Sequence, residues 1–176
     1  MNRSHVSFKQ SLTRKFIGNQ FYYYEEIDST NDEAFRLGVG GAPEGTLLIA
    51  ESQNAGKGRM QRVWHSPAGT NIYASIILRP TFEPSNAPQI SIAAGVAVAE
   101  TLNLYCPGRV CLKWPNDILI GTKKVCGILA QMKMSESAID FVIVGIGVNV
   151  NMSYEQFPED IQEIATSMAI ETGREI

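Results

Sequence analysis

The sequence predicts an α+β fold in which a mixed, largely antiparallel β-sheet carries helices on one face. The main observation is that the strand-like apolar segments of the second half follow one another at hairpin spacing, where a βαβ repeat would have continued with helices. A second is that the helical patterns are few and unevenly spaced. A length of 176 residues with 44% hydrophobic side chains suffices for one domain with a sizeable core.

The first elements lead up to a short helix. Residues 8–17 are expected to form a helix, and the aromatic-rich segment 21–27 a strand. Thr30 and Glu33 then have the spacing of a capping box, and Gly38 falls where the helix would end. The segment DSTN, residues 28–31, therefore lies at a strand-to-helix junction.

The middle of the chain predicts two strands around a loop. Apolar segments at 46–52 and 71–80 flank residues 53–67, and side-by-side pairing of these strands would hold the loop's ends while its middle stays free. From 86 to 104 the apolar spacing predicts a long, largely buried helix.

The last third is rich in strand patterns. The predicted strands are 111–114, 117–120, 124–134 and 139–151. The last of them is the most hydrophobic and is expected at the centre of the sheet. Beyond Ser153 the pattern is less regular, with a short helix expected near 160–168 and a second helix start at ETGREI, residues 171–176.

Composition excludes several classes of protein. A net charge of −3 and a pI near 5.4 argue against a general nucleic-acid binder. The three cysteines are odd in number and lack a CxxC spacing, so they are interpreted as reduced thiols. The start has no signal-peptide core, and no apolar run approaches a membrane span. These features predict a cytoplasmic protein that does not enter the membrane.

The loop QNAGKGRMQRVWHSP, residues 53–67, is a candidate anion site. Gly56 and Gly58 let backbone N–H groups approach a ligand, and Lys57, Arg59 and Arg62 add positive charge. A solvated surface loop is the plain alternative. The phosphate-binding pattern GxxxxGK[ST] is absent, and Gln61 stands where GxGxxG would need its third glycine.

Two further clusters carry charge next to strands. KWPND, residues 113–117, places a lysine and a tryptophan beside an Asn-Asp pair, although turn formation alone would explain the pair. KKVCGIL, residues 123–129, starts a strand with two lysines and contains Gly127, a type of position that often marks close ligand approach. Solvated hairpin lysines are the alternative. Gly145 and Gly147 are two further strand glycines that can mark close approach of a ligand.

In order along the chain, DSTN, the glycine loop, KWPNDIL, KKVCGIL and GIGVNVN resemble the motif series of biotin protein ligases, over residues 10–176. The resemblance implies a class II aminoacyl-tRNA synthetase/biotin synthetase-like fold. It also implies biotinylation of one lysine of a biotin carboxyl carrier protein, through biotinyl-5′-AMP made from biotin and Mg²⁺-ATP. A lipoate-protein ligase or octanoyltransferase, and an impaired biotin-binding module, are the alternatives.

The resemblance also implies site residues. Arg59, Lys124 and Asp117 are the catalytic candidates. The candidates for binding biotin or its adenylate are Ser29, Thr30, Asn31, Gln53, Gly56, Lys57, Gly58, Arg59, Arg62, Trp64, Lys113, Asn116, Lys124, Gly127 and Asn149. No residue is assigned to a metal, because Mg²⁺ would be carried by ATP.

The chain departs from the family pattern at several positions. Lys57 replaces the first arginine of GRGRxGRxW, Gln61 replaces its third glycine and is expected to stiffen the loop, and Gln131 stands where an acidic residue is frequent. No room precedes residue 10 for a DNA-binding domain, so DNA is not an expected partner. The chain stops before the family's SH3-like domain, so 1–176 is interpreted as the catalytic domain alone. A homodimer is left open.

Overall fold

The computed structural model describes residues 16–176, so the helix predicted over 8–17 lies almost entirely outside the described residues. Within residues 16–176, seven strands form one sheet in the order β1-β2-β3-β7-β6-β5-β4. The strands are β1 (Phe21–Ile27), β2 (Leu47–Gln53), β3 (Asn71–Leu78), β4 (Val110–Lys113), β5 (Asp117–Ile120), β6 (Lys123–Ser135) and β7 (Ala138–Asn149). The helices are α1 (Thr30–Val39), α2 (Pro88–Asn103) and α3 (Met168–Thr172).

The predicted sheet is confirmed as mixed and largely antiparallel. Only β1 and β2 pair in parallel, and every other neighbouring pair is antiparallel. β2 and β3, which flank the glycine loop, lie side by side as expected. Counted across the sheet, β7 is the fourth of the seven strands, so its predicted central position is also confirmed.

The expected packing of all helices on one face needs correction. Phe141 and Ile143 of β7 belong to the core cluster that includes Ala34 of α1, whereas Val142 and Val144 belong to the cluster that includes Leu102 of α2. Because successive side chains of a strand point to opposite faces, α1 and α2 lie on opposite faces of the sheet. The uninterrupted apolar run of β7 is typical of a strand that is buried on both faces.

The N-cap of α1 lies one residue before the predicted cap. Ser29 is the N-cap residue, and its hydroxyl accepts from the backbone N–H of Asp32 at 3.5 Å. The Thr30 hydroxyl donates instead to Gln53, so the predicted capping box does not form. Gly38 lies inside the helix, where a Cβ would be 2.9 Å from the Phe141 ring, and the helix ends at Val39 with Gly40 as its C-cap.

α2 is less buried than the sequence predicted. Only Gly95 and Leu102 are buried, while the side chains of Ile92 and Val96 are 47% and 40% exposed. The helix packs on a single face of the sheet, so the apolar residues on its other side remain accessible to solvent. No helix within residues 16–176 is both long and apolar enough to span a lipid bilayer.

The helix predicted near 160–168 does not form. Instead, the backbone N–H of Lys124 donates to Ile164 O at 2.8 Å, and the N–H of Thr166 donates to Lys124 O at 2.9 Å. This pairing with the start of β6 takes up backbone groups that a helix would have needed. The helix α3 follows and ends at Gly173, whose φ of 69° is left-handed, so ETGREI closes a helix where one was expected to start.

Candidate active site

A narrow cleft with about 50 Å³ of free space, open to solvent at its mouth, lies on the same face of the sheet as α1. It is bounded by the first turn of α1, the glycine loop and the middle of strands β6 and β7. Most of the predicted site residues line it: Ser29, Thr30, Asn31, Gln53, Lys57, Gly58, Arg59, Trp64, Asn116, Lys124 and Gly127. Residues from four separate motifs are thus brought together in one place.

The floor at one end of the cleft is neutral, polar and buried. Gln53 Oε1 accepts from both the backbone N–H and the hydroxyl of Thr30, at 2.9 and 3.0 Å. The hydroxyl of Ser75, a fully buried residue of β3, lies 2.9 Å from Thr30 Oγ1 and 2.7 Å from Asn31 Oδ1. Such a floor presents both donors and acceptors without net charge, as a neutral ring with amide-like groups requires.

The side chain of Asn31 lies flat on the sheet because Gly145 leaves room for it. A Cβ at Gly145 would be 2.0 Å from Asn31 Oδ1. The amide nitrogen of Asn31 donates to Gln131 Oε1 at 3.0 Å. Gln131, which stands where the family pattern is frequently acidic, therefore holds Asn31 through a neutral amide pair.

The centre of the cleft is a glycine surface covered by an indole ring. Gly127 and Gly147 are direct partners in the β6–β7 pairing. A Cβ at Gly127 would be 2.9 Å from the Trp64 ring, and a Cβ at Gly147 would be 2.6 Å from it. These glycines allow close approach of the Trp64 ring, which occupies the space that side chains at the two positions would fill. Trp64 Nε1 is buried there without a hydrogen-bond partner.

The other end of the cleft is cationic. Lys124 Nζ is 2.6 Å from Asp117 Oδ1 and 5.3 Å from the centre of the Trp64 ring. Arg59 Nη1 donates to Asn116 Oδ1 at 2.9 Å, and Lys57 Nζ is 2.6 Å from Asp32 Oδ1. The arrangement can bind anionic groups next to an apolar wall, since partly desolvated cations attract anions more strongly than fully solvated ones do.

Asn116 is held in place from its other side. Its amide nitrogen donates to Ile128 O at 3.0 Å, and its backbone carbonyl accepts from the N–H of Ile128 at 2.9 Å. The amide oxygen is therefore directed towards Arg59. The Asn-Asp pair of KWPND thus orients both cations, Arg59 through Asn116 and Lys124 through Asp117.

The loop over the cleft folds as a small hairpin. The N–H of Gly58 donates to Arg62 O at 2.8 Å, and the N–H of Trp64 donates to Gly56 O at 2.9 Å. At its tip, Met60 and Gln61 have φ values of 56° and 61°. A residue with a Cβ is strained in this left-handed region by about 1–2 kcal/mol, so Gln61 adds strain to the loop.

The remaining predicted residues lie outside the cleft lining. Gly56 is buried at the base of the loop, and Lys113 is exposed at the end of β4. Arg62 contributes its backbone carbonyl, which accepts from the N–H of Gly58 in the loop hairpin. Asp117 acts on the cleft indirectly, because its carboxylate forms an ion pair with Lys124, which lines the cleft. Asn149 is buried behind the cleft, where its amide donates to Thr166 O at 3.0 Å and so supports the segment that pairs with Lys124.

Sequence reasoning missed several contributors to the site. Ser75 is one, and the available signal was a small polar residue on the buried side of the apolar strand NIYASIIL. Asp32 is another, because only the fold brings it to Lys57. Ser66 is a third, with 6% of its surface exposed. Its position in a loop gave no indication of burial.

Cys126 lies two residues from Lys124 but does not suit nucleophilic chemistry. Burial raises the pKa of its thiol to about 12, and the nearby Lys124 ammonium offsets this only in part. The group is therefore a neutral thiol at neutral pH.

Comparison with known proteins defines the class to which this site belongs. Residues 23–149 match the Biotin/lipoate A/B protein ligase family. The chain is 41% identical, over its full 176 residues, to the bifunctional ligase/repressor BirA of Bacillus spizizenii, and these residues make up 54% of that protein. It is 36% identical over 170 residues to the biotin–[acetyl-CoA-carboxylase] ligase of Mycobacterium tuberculosis, covering 91% of this chain and 60% of that protein.

Solved structures agree with the sequence relatives. A biotin protein ligase from Aquifex aeolicus, in complex with biotin and ATP, superposes with a TM-score of 0.74 at 36% identity, covering 90% of this chain and 63% of that one. The predicted class II synthetase-like fold is confirmed. The chain belongs to the biotin/lipoate A/B protein ligase family. Its relatives include proteins named as biotin–[acetyl-CoA-carboxylase] ligase and as biotin protein ligase. The chain spans about half the length of the curated relatives it matches.

Proposed function

We propose that this chain is the catalytic domain of a biotin protein ligase, which activates biotin with ATP and transfers it to one lysine of a biotin carboxyl carrier protein. The observation that carries the proposal is the cleft itself, which joins a neutral polar floor to a cationic end across a glycine surface. Biotin has the matching parts: a ureido ring, an apolar chain and a carboxylate. The names of the family's members support the same function.

The ureido ring would lie at the polar floor. Its carbonyl and two N–H groups need complementary partners, which the side chains of Thr30, Asn31 and Gln53 can supply. The dithiolane ring of lipoate has no such groups, and its binding would leave the polar floor unsatisfied. This argument favours biotin over the lipoate alternative within the same family.

The carboxylate would lie at the cationic end, beside Lys124 and Arg59. In the first reaction a carboxylate oxygen forms a bond to the α-phosphorus of ATP, and the bond from that phosphorus to the pyrophosphate leaving group breaks. Both reactants are anions, so nearby cations are needed to offset their repulsion and to stabilise the charge that develops. Mg²⁺ would enter with ATP as the counter-ion of its phosphates, and no residue is assigned to it.

The second reaction requires a dry site and an accessible acyl carbon. The amine of the carrier lysine forms a bond to the carbonyl carbon, the bond to AMP breaks, and the nitrogen loses a proton. The adenylate is a mixed anhydride that water hydrolyses, so the cover provided by Trp64 would protect it until the carrier arrives. Location and oligomeric state are properties of the whole protein: we infer a cytoplasmic location and leave the homodimer open.

Isotope exchange between ATP and pyrophosphate tests the activity. With Mg²⁺ present, we expect exchange that depends on biotin and does not occur with lipoate. Exchange that requires lipoate would instead support the lipoate ligase alternative. Calorimetric binding of biotin without exchange would identify an inactive binding module.

Replacing Arg59 with glycine is expected to weaken retention of the adenylate. The change removes a guanidinium from the cationic end of the cleft together with its bond to Asn116, and a charge-assisted hydrogen bond of this kind corresponds to about a tenfold change in dissociation. Released biotinyl-AMP should then label lysines of a bystander protein such as serum albumin, as measured by streptavidin blot.

Arg174→Gly is the matched control, because it removes an exposed arginine outside the cleft. Equal bystander labelling by the unsubstituted chain and by Arg59→Gly would contradict a role for Arg59 in retention.

A further inference from the structure

A directed chain of hydrogen bonds connects the polar floor of the cleft to the loop that covers it. The backbone N–H of Thr30 can only donate, so the atom of Gln53 that faces it at 2.9 Å must be the amide oxygen. The amide nitrogen of Gln53 then donates to Ser66 Oγ at 2.9 Å. The Ser66 hydroxyl in turn donates to the carbonyl oxygen of Trp64, also at 2.9 Å.

The same three groups meet at Gly56. A Cβ there would lie 2.4 Å from Trp64 O, 2.7 Å from Ser66 Oγ and 3.0 Å from Gln53 Nε2. Gly56 has no left-handed φ, so the glycine is needed at this point for space and not for backbone conformation. Ser66 is 6% exposed, which excludes most water as a substitute partner for its hydroxyl.

Ser66 is also attached to β2 through its backbone, because the N–H of Gln53 donates to Ser66 O at 3.2 Å. The far end of the loop is therefore held to the strand that carries a floor residue. Trp64 lies two positions before Ser66, and its ring is the cover over Gly127 and Gly147. The Trp64 backbone is held by two hydrogen bonds, from its own N–H to Gly56 O and from the Ser66 hydroxyl to its carbonyl oxygen, and only the second connects it to the floor.

We propose that Ser66 is a positioning residue that couples occupation of the polar floor to closure of Trp64 over the cleft. The inference rests on the proposed function, since the floor is assigned to the ring of biotin. The Thr30 N–H sets the Gln53 amide in the orientation that donates to Ser66, and a ring that hydrogen-bonds to Thr30 and Gln53 adds bonds that stabilise this arrangement further. Occupation of the floor thus stabilises the closed position of Trp64, and by linkage the closed Trp64 strengthens binding at the floor.

Fluorescence quenching by acrylamide tests the coupling. The chain contains two tryptophans, and Trp114 is 81% exposed, so Trp114→Phe leaves Trp64 as the sole reporter. In this background without ligand, Ser66→Ala is expected to raise the quenching constant of Trp64 by about fivefold, the effect of one lost hydrogen bond on an open–closed equilibrium. Saturating biotin should lower quenching in the background chain and have much less effect in Ser66→Ala.

Ser52→Ala is the matched control, because Ser52 is on the same strand as Gln53 but its hydroxyl donates to Glu25 O, away from the cleft. Equal quenching of Ser66→Ala and the background chain, or equal protection of both by biotin, would overturn the proposal. Calorimetry separates the two proposals: a background chain that does not bind biotin contradicts the proposed function, and one that binds biotin without a change in quenching contradicts the coupling. The ligand-free comparison decides in either case whether Ser66 holds Trp64.

A second variant covers the case in which Ser66→Ala does not fold. Gln53→Glu keeps the acceptor for Thr30 but removes the donor to Ser66, whose hydroxyl would turn to the carboxylate and release Trp64 O. It is expected to raise ligand-free quenching as much as Ser66→Ala does. Unchanged quenching in Gln53→Glu would contradict the directed chain.

Discussion

Replacing Lys124 with alanine is expected to lower biotin-dependent ATP–pyrophosphate exchange at least tenfold, which corresponds to about 1.4 kcal/mol or more in the activation barrier. The ammonium lies within the cleft, 2.6 Å from Asp117, where it would meet the carboxylate and the α-phosphate. Its removal has two effects on the same barrier. The reacting anions lose a neutralising charge, and the Asp117 carboxylate is left as an unpaired negative charge beside them.

Lys123→Ala is the matched control for this prediction. Lys123 is the preceding residue, but its Nζ lies 5.9 Å from the centre of the Tyr154 ring, and it does not line the cleft. Its exchange rate should stay within about twofold of the unsubstituted chain, as for a change outside the site. Near-normal exchange by Lys124→Ala, or equal losses in the two variants, would refute the placement of Lys124.

Replacing Gly147 with valine is expected to weaken biotin binding by one to two orders of magnitude while the fold is retained. The first atom of the new side chain would lie 2.6 Å from the Trp64 ring, so the indole must leave the sheet. The cost is that of exposing an aromatic side chain and its partner surface, about 1.5–3 kcal/mol. The backbone accepts the change, because Gly147 has no left-handed φ and valine is favourable in strands.

A double-mutant cycle separates this effect from a direct clash with the ligand. Biotin affinity would be measured by calorimetry for Gly147→Val, Trp64→Ala and the combination, with thermal unfolding to establish that each chain folds. If Trp64 transmits the effect, valine costs little further affinity in the Trp64→Ala background. Additive losses would contradict that explanation.

Much of the site could be predicted because its residues occur in short motifs with a local physical meaning. The loop with two glycines and three cations indicated an anion site before any fold was known, and Lys124 and Gly127 occur together in one strand segment. The strands were predicted well for the same reason, since alternation and apolar runs are local properties of a chain. All seven predicted strands occur in the structure.

Predictions failed where a distant partner competed for a local group. Thr30 has the spacing of a capping residue, but its hydroxyl donates to Gln53, which is 23 residues away. The segment near 160–168 has the composition of a helix, but its backbone pairs with Lys124. In each case a tertiary hydrogen bond replaced the one that local spacing suggested.

The sequence by itself determined the order of the strands along the chain, the central position of β7, and which motifs carry glycine and positive charge. Only the tertiary structure decided that Asn31 lies on Gly145, that Trp64 lies on Gly147, and that Ser66 joins the loop to the floor. The physical reason is that hydrophobic periodicity specifies which side of an element is buried, whereas strand register and close packing specify which residue it meets. The glycine loop is thus a local feature of the sequence, and its position as a cover over the cleft is set by contacts with strands far along the chain.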